Sequence, residues 1–132
     1  MIPRFRAWDK EFKEMVQVDA LVFDEQLIKA TYKNGNVVKE DLKNYVLMQS
    51  TGMLDKNGKE IFEGDIVKVT NLSNCSWLEV VSFNNNKAMF VSKEVKREVE
   101  ETPLCDLFNT DIFEVEIIGN TWEHPELAEV KQ

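Results

Sequence analysis

Apolar and polar residues alternate along short segments of this chain, and turn-forming residues separate one segment from the next. From Pro3 to Trp8 the residues fall alternately on two sides, which is the period of a β-strand. We predict strands of the same character in the segments 15–18, 28–33, 45–49, 66–70, 77–83, 87–92 and 112–118. The last of these is expected to stop at Gly119-Asn120.

Three hairpins are predicted from the turn residues between these segments. Asn34-Gly35 favours a type I′ turn, because both residues tolerate a positive φ. Asp55-Lys56-Asn57-Gly58 fits a type I turn with Gly58 in the left-handed conformation, and the asparagines at 84–86 form the third turn. Strand signals recur about every 8–12 residues, which predicts a mainly β fold, arranged as a small barrel or a sandwich.

Helical signals are few. Residues 40–44 suit one helical turn, and Pro125 followed by Glu126 suits the start of a short C-terminal helix over residues 125–130. Residues 93–101 fit a strand, a helix or an exposed loop, and Pro103 ends that stretch. We therefore expect short strands and hairpins, with a short helix at the C-terminus.

The chain has 132 residues, a length at which one domain is the default. The strand pattern divides it into a β-hairpin subdomain over residues 1–50 and a barrel-like subdomain with the C-terminal helix over residues 51–132. Packing of both parts into one compact domain is the open alternative. An apolar content of 43% is too high for a disordered chain.

Charge is unevenly distributed along the chain. The net charge is −8, of which residues 98–132 contribute −9, with ten acidic residues and one lysine. Such a block forms either a solvated strand face or a surface that faces a partner. A general affinity for nucleic acid is not expected, because that requires an excess of Lys and Arg.

The sequence predicts a cytoplasmic protein without metal or cofactor. Its apolar runs are too short to span a bilayer, and the first residues lack the pattern of an export signal. Cys75 and Cys105 are expected to be reduced thiols, and with the single His124 they cannot form the spacing of a zinc site.

Three stretches of the chain resemble a known family. They are residues 5–10 (Phe-Arg-Ala-Trp-Asp-Lys), residues 49–67 with the Asp55-Lys56-Asn57-Gly58 turn, and Ile118-Gly119-Asn120 followed by Pro125-Glu126-Leu127. Their order and spacing are similar to those of the YopX family of small proteins encoded by bacteriophages and prophages. Ser50 and His124 depart from the family pattern, and His124 is a poorer helix cap than asparagine.

The resemblance implies a phage or prophage origin in a bacterial host cell and a β-rich architecture with an SH3-like barrel. It also implies self-association into a homo-oligomer. It supplies no catalytic residues, because the family has no established activity to carry over.

No residue pattern predicts catalysis. Counting from Asp55, a calcium loop would need glycine and glutamate where Glu60 and Ile66 stand, so these residues are assigned to a turn. His124 is expected to be an exposed residue at the start of the helix, and the two cysteines lack a histidine partner. We predict no catalytic, cofactor-binding or metal-ligating residues.

One interaction surface is predicted, on the first strand. Arg4, Arg6 and Trp8 share one side of it, and arginine and tryptophan are favoured at interface hot spots. In the alternative, Trp8 packs on the second subdomain and the arginines pair with carboxylates.

The leading functional hypothesis is a non-enzymatic accessory protein that acts through a protein interface, with itself or with a host or phage protein. The second hypothesis is a barrel that binds nucleic acid. It would bind through six cations and one aromatic residue, which are Arg4, Arg6, Trp8, Lys87, Lys93, Lys96 and Arg97. An enzyme with a pocket of carboxylates is the third hypothesis.

Overall fold

A computed structural model gives the structure of residues 2–109 and 111–129 of the chain. The described residues form two antiparallel β-sheets and short 3-10 turns, and no closed barrel. The predicted mainly β fold is confirmed. Of the two predicted arrangements, a small barrel or a sandwich, the described residues do not form a closed barrel. The chain divides into two compact units, Met1–Ser50 (unit 1) and Thr51–Gln132 (unit 2).

Unit 1 is an antiparallel sheet in which successive hairpins join the first four strands and the fifth strand returns to pair with the first. Its strands follow one another in the order β4-β3-β2-β1-β5, and a 3-10 turn, Leu42–Asn44, precedes β5. The strands are β1 (Phe5–Asp9), β2 (Glu14–Val22), β3 (Leu27–Thr31), β4 (Val37–Asp41) and the first part of β5 (Tyr45–Leu54).

The core of unit 1 follows from the alternation along its strands. Ala7 pairs with Val16, and Val18 pairs with Ala30, so that apolar side chains from neighbouring strands lie on the same face. The buried cluster is Ala7, Val16, Ile28, Ala30 and Tyr45. The strand predicted over residues 28–33 is observed as β3, Leu27–Thr31. Its residues Ile28 and Ala30 are buried in this cluster, and a turn follows it.

The turn between β3 and β4 differs from the predicted type I′ turn. Gly35 has φ 91°, but Asn34 is not among the residues at positive φ. The Gly35 N–H donates to the Tyr32 carbonyl (2.9 Å), and the Tyr32 N–H donates to the Asn36 carbonyl (2.8 Å). This is a three-residue loop with a left-handed glycine at its end, and the two-residue prediction was wrong.

Unit 2 contains the end of β5 and the strands that follow it. Its sheet has the order β10-β9-β8-β7-β11. The strands are β6 (Glu60–Phe62), β7 (Asp65–Thr70), β8 (Ser76–Asn84), β9 (Met89–Glu94), β10 (Thr102–Pro103) and β11 (Glu114–Asn120). A 3-10 turn, Leu104–Leu107, follows β10.

The core of unit 2 is aliphatic with an aromatic border. Burial of each such aliphatic side chain contributes roughly 1.5–3 kcal/mol. Trp77 and Phe113 meet edge to face at this border, with ring centroids 6.1 Å apart. The buried cluster is Ile61, Val67, Val69, Val81, Leu104, Leu107 and Val115.

The turn from β5 to β6 has the predicted form. Gly58 has φ 80°, its N–H donates to the Asp55 carbonyl (3.0 Å), and the Asp55 N–H donates to the Lys59 carbonyl (2.7 Å). The prediction of a type I turn ending in a left-handed glycine is confirmed.

The C-terminal region differs from its prediction in two respects. β11 continues through Gly119 to Asn120, with a register shift between Ile117 and Gly119, so the predicted stop was too early. The helical segment is a 3-10 turn, Pro125–Ala128, and residue 130 of the predicted helix lies outside the described residues.

Candidate functional site

The edge strands are where a β-sheet offers unpaired backbone groups to a partner, and the two units treat their edges differently. In unit 1, β4 is the terminal strand of the order and pairs on one side with β3. Hydrogen-bonded and non-hydrogen-bonded pairs alternate along an antiparallel ladder. The position of each pair therefore determines which backbone groups of β4 face outward.

The hydrogen-bond pattern of the β3–β4 ladder follows from the backbone bonds at its two ends. The Tyr32 N–H donates to the Asn36 carbonyl, and the Leu42 N–H donates to the Gln26 carbonyl. Every second pair between them is hydrogen-bonded, so the N–H and C=O groups of Val37, Lys39 and Asp41 face away from β3. We call these outward backbone groups of Val37, Lys39 and Asp41 the open edge.

In unit 2, the corresponding edge of β11 is occupied by the turn from β5 to β6. The Lys56 N–H donates to the Val115 carbonyl (2.8 Å), and the Ile117 N–H donates to Asp55 Oδ2 (3.0 Å). Asp55 Oδ1 accepts from the N–H groups of Asn57 and Lys59, at 2.9 Å each. We call this arrangement around Asp55 the Asp55 clasp.

The clasp has a clear electrostatic signature. Asp55 is 6% exposed. Burial by itself raises the pKa of its carboxyl group, but hydrogen bonds from the N–H groups of Ile117, Lys59 and Asn57 favour the charged form and lower the pKa below its ordinary value of 3.8. The carboxylate is therefore held ionised by the same bonds that close the strand edge.

The other edges of unit 2 are short or satisfied by side chains. β10 has two residues, and Pro103 has no N–H to offer. On β6, the Phe62 N–H donates to Asp65 Oδ2 (2.8 Å), and Asp65 is 1% exposed. Edge protection of this kind prevents unwanted strand pairing.

A cleft lies beside the open edge in unit 1. It has a volume of about 450 Å³. Phe12 at its border is 70% exposed, a large value for an aromatic side chain. The cleft is lined by Phe12, Glu14, Tyr32, Asn34, Asn36, Val38 and Glu40, and we call it the tyrosine cleft.

A hydrogen-bonded chain forms one wall of the tyrosine cleft. The Tyr32 hydroxyl donates to Asp9 Oδ2 (2.5 Å), the Tyr45 hydroxyl donates to Glu40 Oε2 (2.8 Å), and the two hydroxyl oxygens are 2.7 Å apart. Burial, together with the hydrogen bond to Asp9, raises the pKa of Tyr32 well above its usual value. Burial likewise raises the pKa of Tyr45 to about 12, so both phenols keep their protons near neutral pH.

Besides Asp55 and Asp65, a third carboxylate is buried in unit 2. Glu79 is 6% exposed; its Oε2 accepts from Trp77 Nε1 and its Oε1 accepts from Ser92 Oγ, both at 2.7 Å. It borders a cavity of about 270 Å³. Because each oxygen has a donor, the arrangement satisfies a buried charge and orients the Trp77 ring.

The predicted surface on β1 is only partly accessible. Arg4 is exposed and Arg6 is half-buried, but Trp8 is only 8% exposed and pairs with Met15 and Val46 on the adjacent strands. The Trp8 ring is therefore not available to stack on a base or to fill a partner's pocket. An interaction role for the two arginines stays a prediction.

Among the cations of the nucleic-acid hypothesis, Lys96 lines a cleft of about 210 Å³ together with Lys68 and Trp77. Lys87, Lys93 and Lys96 are exposed. Arg97 forms two hydrogen bonds to Glu94, at 3.0 and 3.2 Å, so its charge is locally compensated.

The remaining residues singled out from sequence have ordinary environments. Cys75 and Cys105 are free and exposed. His124 was expected to be exposed but is half-buried; its Nδ1 accepts from the Asn120 N–H (3.3 Å), and it packs so tightly on Gly119 that a Cβ there would lie 2.6 Å from Nδ1.

Residues 2–109 and 111–129 contain neither a cluster that could bind a metal nor a helix that could span a membrane. No three side chains of the His, Cys, Asp and Glu type come together there in a way that could hold a metal ion. None of the helical segments described is long and apolar enough to cross a membrane.

Sequence reasoning missed both the Asp55 clasp and the tyrosine cleft. The motif around Asp55 indicated a turn, but its contact with β11 joins residues 62 positions apart. For the cleft, the available signal was the presence of two tyrosines at inward positions, because a buried phenol needs a hydrogen-bond partner.

Solved structures provide two relatives for comparison. The chain is similar to the crystal structure of protein EF1440 from Enterococcus faecalis, with 27% identity, a TM-score of 0.63, and coverage of 98% of this chain and 99% of that one. It also shares its fold with protein yopX from Bacillus subtilis, with 23% identity, a TM-score of 0.62, and coverage of 95% and 97%.

None of the curated proteins compared with the chain matches it. The family profile described as YopX protein matches residues 4–129, and the resemblance inferred from the motifs is thereby confirmed. The chain belongs to the YopX family.

Proposed function

We propose that this protein is a non-enzymatic protein-interaction module that binds an extended segment of a partner by strand addition at β4. The observation that carries the proposal is the open edge. Backbone groups of Val37, Lys39 and Asp41 face outward, and Val37 is 56% exposed. In strand addition, main-chain hydrogen bonds supply affinity, and alternate side chains supply specificity.

The contrast with unit 2 supports this assignment. Edge strands are usually blunted when they have no partner, as β11 is by the Asp55 clasp and β10 is by Pro103. β4 has five residues, and its charged side chains are those of Lys39, Glu40 and Asp41. A strand that is this long and open is what a binding edge requires.

Binding without catalysis fits the buried carboxylates. Asp55 and Glu79 are buried, and both oxygens of each accept hydrogen bonds from the protein itself. The phage or prophage accessory role implied by the family resemblance belongs to the same proposal, with a phage or host protein as the partner.

Peptide selection on the isolated protein tests the proposal. A displayed library of random twelve-residue peptides is selected against the protein, and enriched peptides are titrated by calorimetry against wild type and Lys39→Pro. Proline at position 39 removes an outward N–H but no bond to β3, so binding should weaken about tenfold or more, a loss of about 1.4 kcal/mol.

The matched control is Lys39→Thr, which removes the same charge and keeps the N–H. It should bind the enriched peptides within about twofold of wild type, a change of less than 0.5 kcal/mol. Failure of any peptide to enrich, or equal binding to Lys39→Pro and wild type, would contradict strand addition at β4.

A further inference from the structure

The tyrosine cleft and the open edge share one strand. Val38 and Glu40 line the cleft, whereas the backbone groups of Val37, Lys39 and Asp41 face outward. Side chains on adjacent strands lie on a common face when their residues are directly opposite. A strand added to β4 therefore places every second side chain next to Val38 and Glu40, at the border of the cleft.

The charge of the cleft selects the chemistry of that side chain. Glu14 and Glu40 are its charged lining residues, and Phe12, which is largely exposed, lines the same cleft. Two carboxylates and an exposed aromatic ring in the lining of one cleft attract an organic cation, through charge-assisted hydrogen bonds and cation–π contact. Both features favour a guanidinium or ammonium group over a neutral or acidic side chain.

The hydrogen-bonded chain of Tyr32 and Tyr45 adds a second, independent reason. The two phenol protons serve three contacts, which are Tyr32 with Asp9, Tyr32 with Tyr45, and Tyr45 with Glu40. Either hydroxyl can donate in the contact between the two tyrosines, so two protons are shared among three short contacts. An external N–H donor to Glu40 would free the Tyr45 proton to turn towards Tyr32 and complete the chain.

A second copy of this chain fits the cleft less well. Antiparallel pairing of β4 with another β4 presents Asn36, Val38 and Glu40 on the cleft face, because these positions alternate with the outward ones. The incoming strand would then bring a third carboxylate and no cation to that face. Self-association through β4 is accordingly an outcome that the test must detect.

We propose that the strand added at β4 comes from another protein and carries an arginine or lysine side chain that enters the tyrosine cleft beside Glu40 and Glu14. This inference rests on strand addition as the proposed function and specifies the partner. The cation of the partner and the backbone of β4 contribute separately to binding. The experiment can therefore remove the cation from the peptide, or the backbone N–H from β4, one at a time.

Two capped seven-residue peptides are the probes. Both alternate threonine and valine, and the central residue is arginine in one and citrulline, its uncharged isostere, in the other. Calorimetric titration at low salt should show that the arginine peptide binds about tenfold more tightly, since a charge-assisted pair at a partly exposed site is worth about 1.4 kcal/mol.

Variants assign this preference to the cleft. In Glu14→Gln/Glu40→Gln the preference for arginine should fall below threefold, because the amides keep the shape and lose the charge. Glu25→Gln, an exposed loop position, removes a carboxylate elsewhere in unit 1 and should leave the preference unchanged. Lys39→Pro should weaken both peptides alike.

The outcomes separate the two proposals. Equal binding of both peptides to wild type, lost in Lys39→Pro, would overturn the cation inference and leave strand addition standing. Binding of the arginine peptide that is as tight to Lys39→Pro as to wild type, or no binding of either peptide, would overturn both. Light scattering that shows a doubled mass in wild type and not in Lys39→Pro would replace the external partner with a second copy.

Discussion

The two units contain the same kind of turn, but the turn covers a strand edge in unit 2 and does not do so in unit 1. In each, a left-handed glycine, Gly35 or Gly58, donates its N–H to the carbonyl of the residue three positions earlier. That earlier residue is Tyr32 in unit 1 and Asp55 in unit 2. The backbone bonds are alike, but the side chain that caps the turn differs: Asn34 Oδ1 accepts from the Asn36 N–H in unit 1, and Asp55 Oδ1 accepts from the Lys59 N–H in unit 2.

The first residue of each turn contacts different groups in the two units. Asp55 is short and charged, and it caps the N–H groups of its own turn and of Ile117, which closes β11. Tyr32 is long and directs its hydroxyl to Asp9 and Tyr45, in the wall of the cleft beside β4. The turn of unit 2 therefore covers the edge of β11, whereas the turn of unit 1 does not cover the edge of β4.

The largest expected effect is the loss of the Asp55 clasp. Asp55→Ala leaves buried N–H groups of Asn57, Lys59 and Ile117 without their acceptor, and each such loss costs about 1–3 kcal/mol. We expect unit 2 to be destabilised by about 3 kcal/mol, measured by urea denaturation followed by tryptophan fluorescence.

Two further variants interpret that result. Asp111→Ala removes an exposed carboxylate in the same unit and should change stability by less than about 0.5 kcal/mol. Asp55→Asn keeps one acceptor oxygen and should lie between Asp55→Ala and wild type. A cost for Asp55→Ala as small as that for Asp111→Ala would show that the clasp does not hold the edge.

Acid should reproduce part of this loss. The folded-state pKa of Asp55 is lowered from 3.8, so its contribution is fully present above that value and is lost as the pH falls through the lower, folded-state pKa. The stability difference between wild type and Asp55→Asn should therefore be constant near pH 6 and shrink below about pH 4. A stability difference between the two proteins that grows as the pH falls would refute the lowered pKa of Asp55.

Alanine in the two glycine positions should cost about the same in each unit. Gly35 and Gly58 have φ of 91° and 80°, and a Cβ at either would meet no atom within 4 Å. The cost is then that of the left-handed conformation, about 1–2 kcal/mol. Asparagine at either position should cost less than alanine, because it tolerates this region better.

These glycine variants also sharpen the comparison between the turns. If Gly58→Ala costs much more than Gly35→Ala in thermal unfolding, the turn of unit 2 is needed to position the clasp as well as to reverse the chain. Equal costs would place the extra stabilisation of that turn in the Asp55 side chain alone.

The smallest expected effect on stability comes from proline in the open edge. Lys39→Pro removes an outward N–H and should change the free energy of unfolding by less than about 1 kcal/mol. Val38→Pro, one residue away, removes a bond to β3 and should cost about 3 kcal/mol or more. Similar losses of stability for both variants would contradict the assignment of Lys39 to an outward position of β4 and of Val38 to an inward one.

Local patterns predicted much of the fold. Alternation located strands such as β1 and β8, and the residues from Asp55 to Gly58 predicted the form of their turn, because these signals depend on neighbours in sequence. Asn34-Gly35 was assigned a two-residue turn because its sequence suits one, whereas the observed loop begins at Lys33 and forms a bond between Tyr32 and Asn36.

The candidate site depends on pairings that no local pattern contains. β4 is an edge because of the order in which all the strands of its sheet pair, and β11 is closed by a turn from a distant part of the chain. Trp8 was placed on an interaction face from alternation, which gives the side of a strand but not what covers that side. Burial of Trp8 to 8% exposure removed it from the accessible surface.

Amide hydrogen exchange measured by NMR tests the central contrast most directly. The account predicts that the amides of Val37, Lys39 and Asp41 exchange nearly as fast as in an unfolded chain, while the Ile117 amide is protected because it donates to Asp55. Asp55→Ala should remove the protection of Ile117 and leave the three β4 amides unchanged. Strong protection of the Lys39 amide in the free protein would show that β4 is already covered, and would contradict the account.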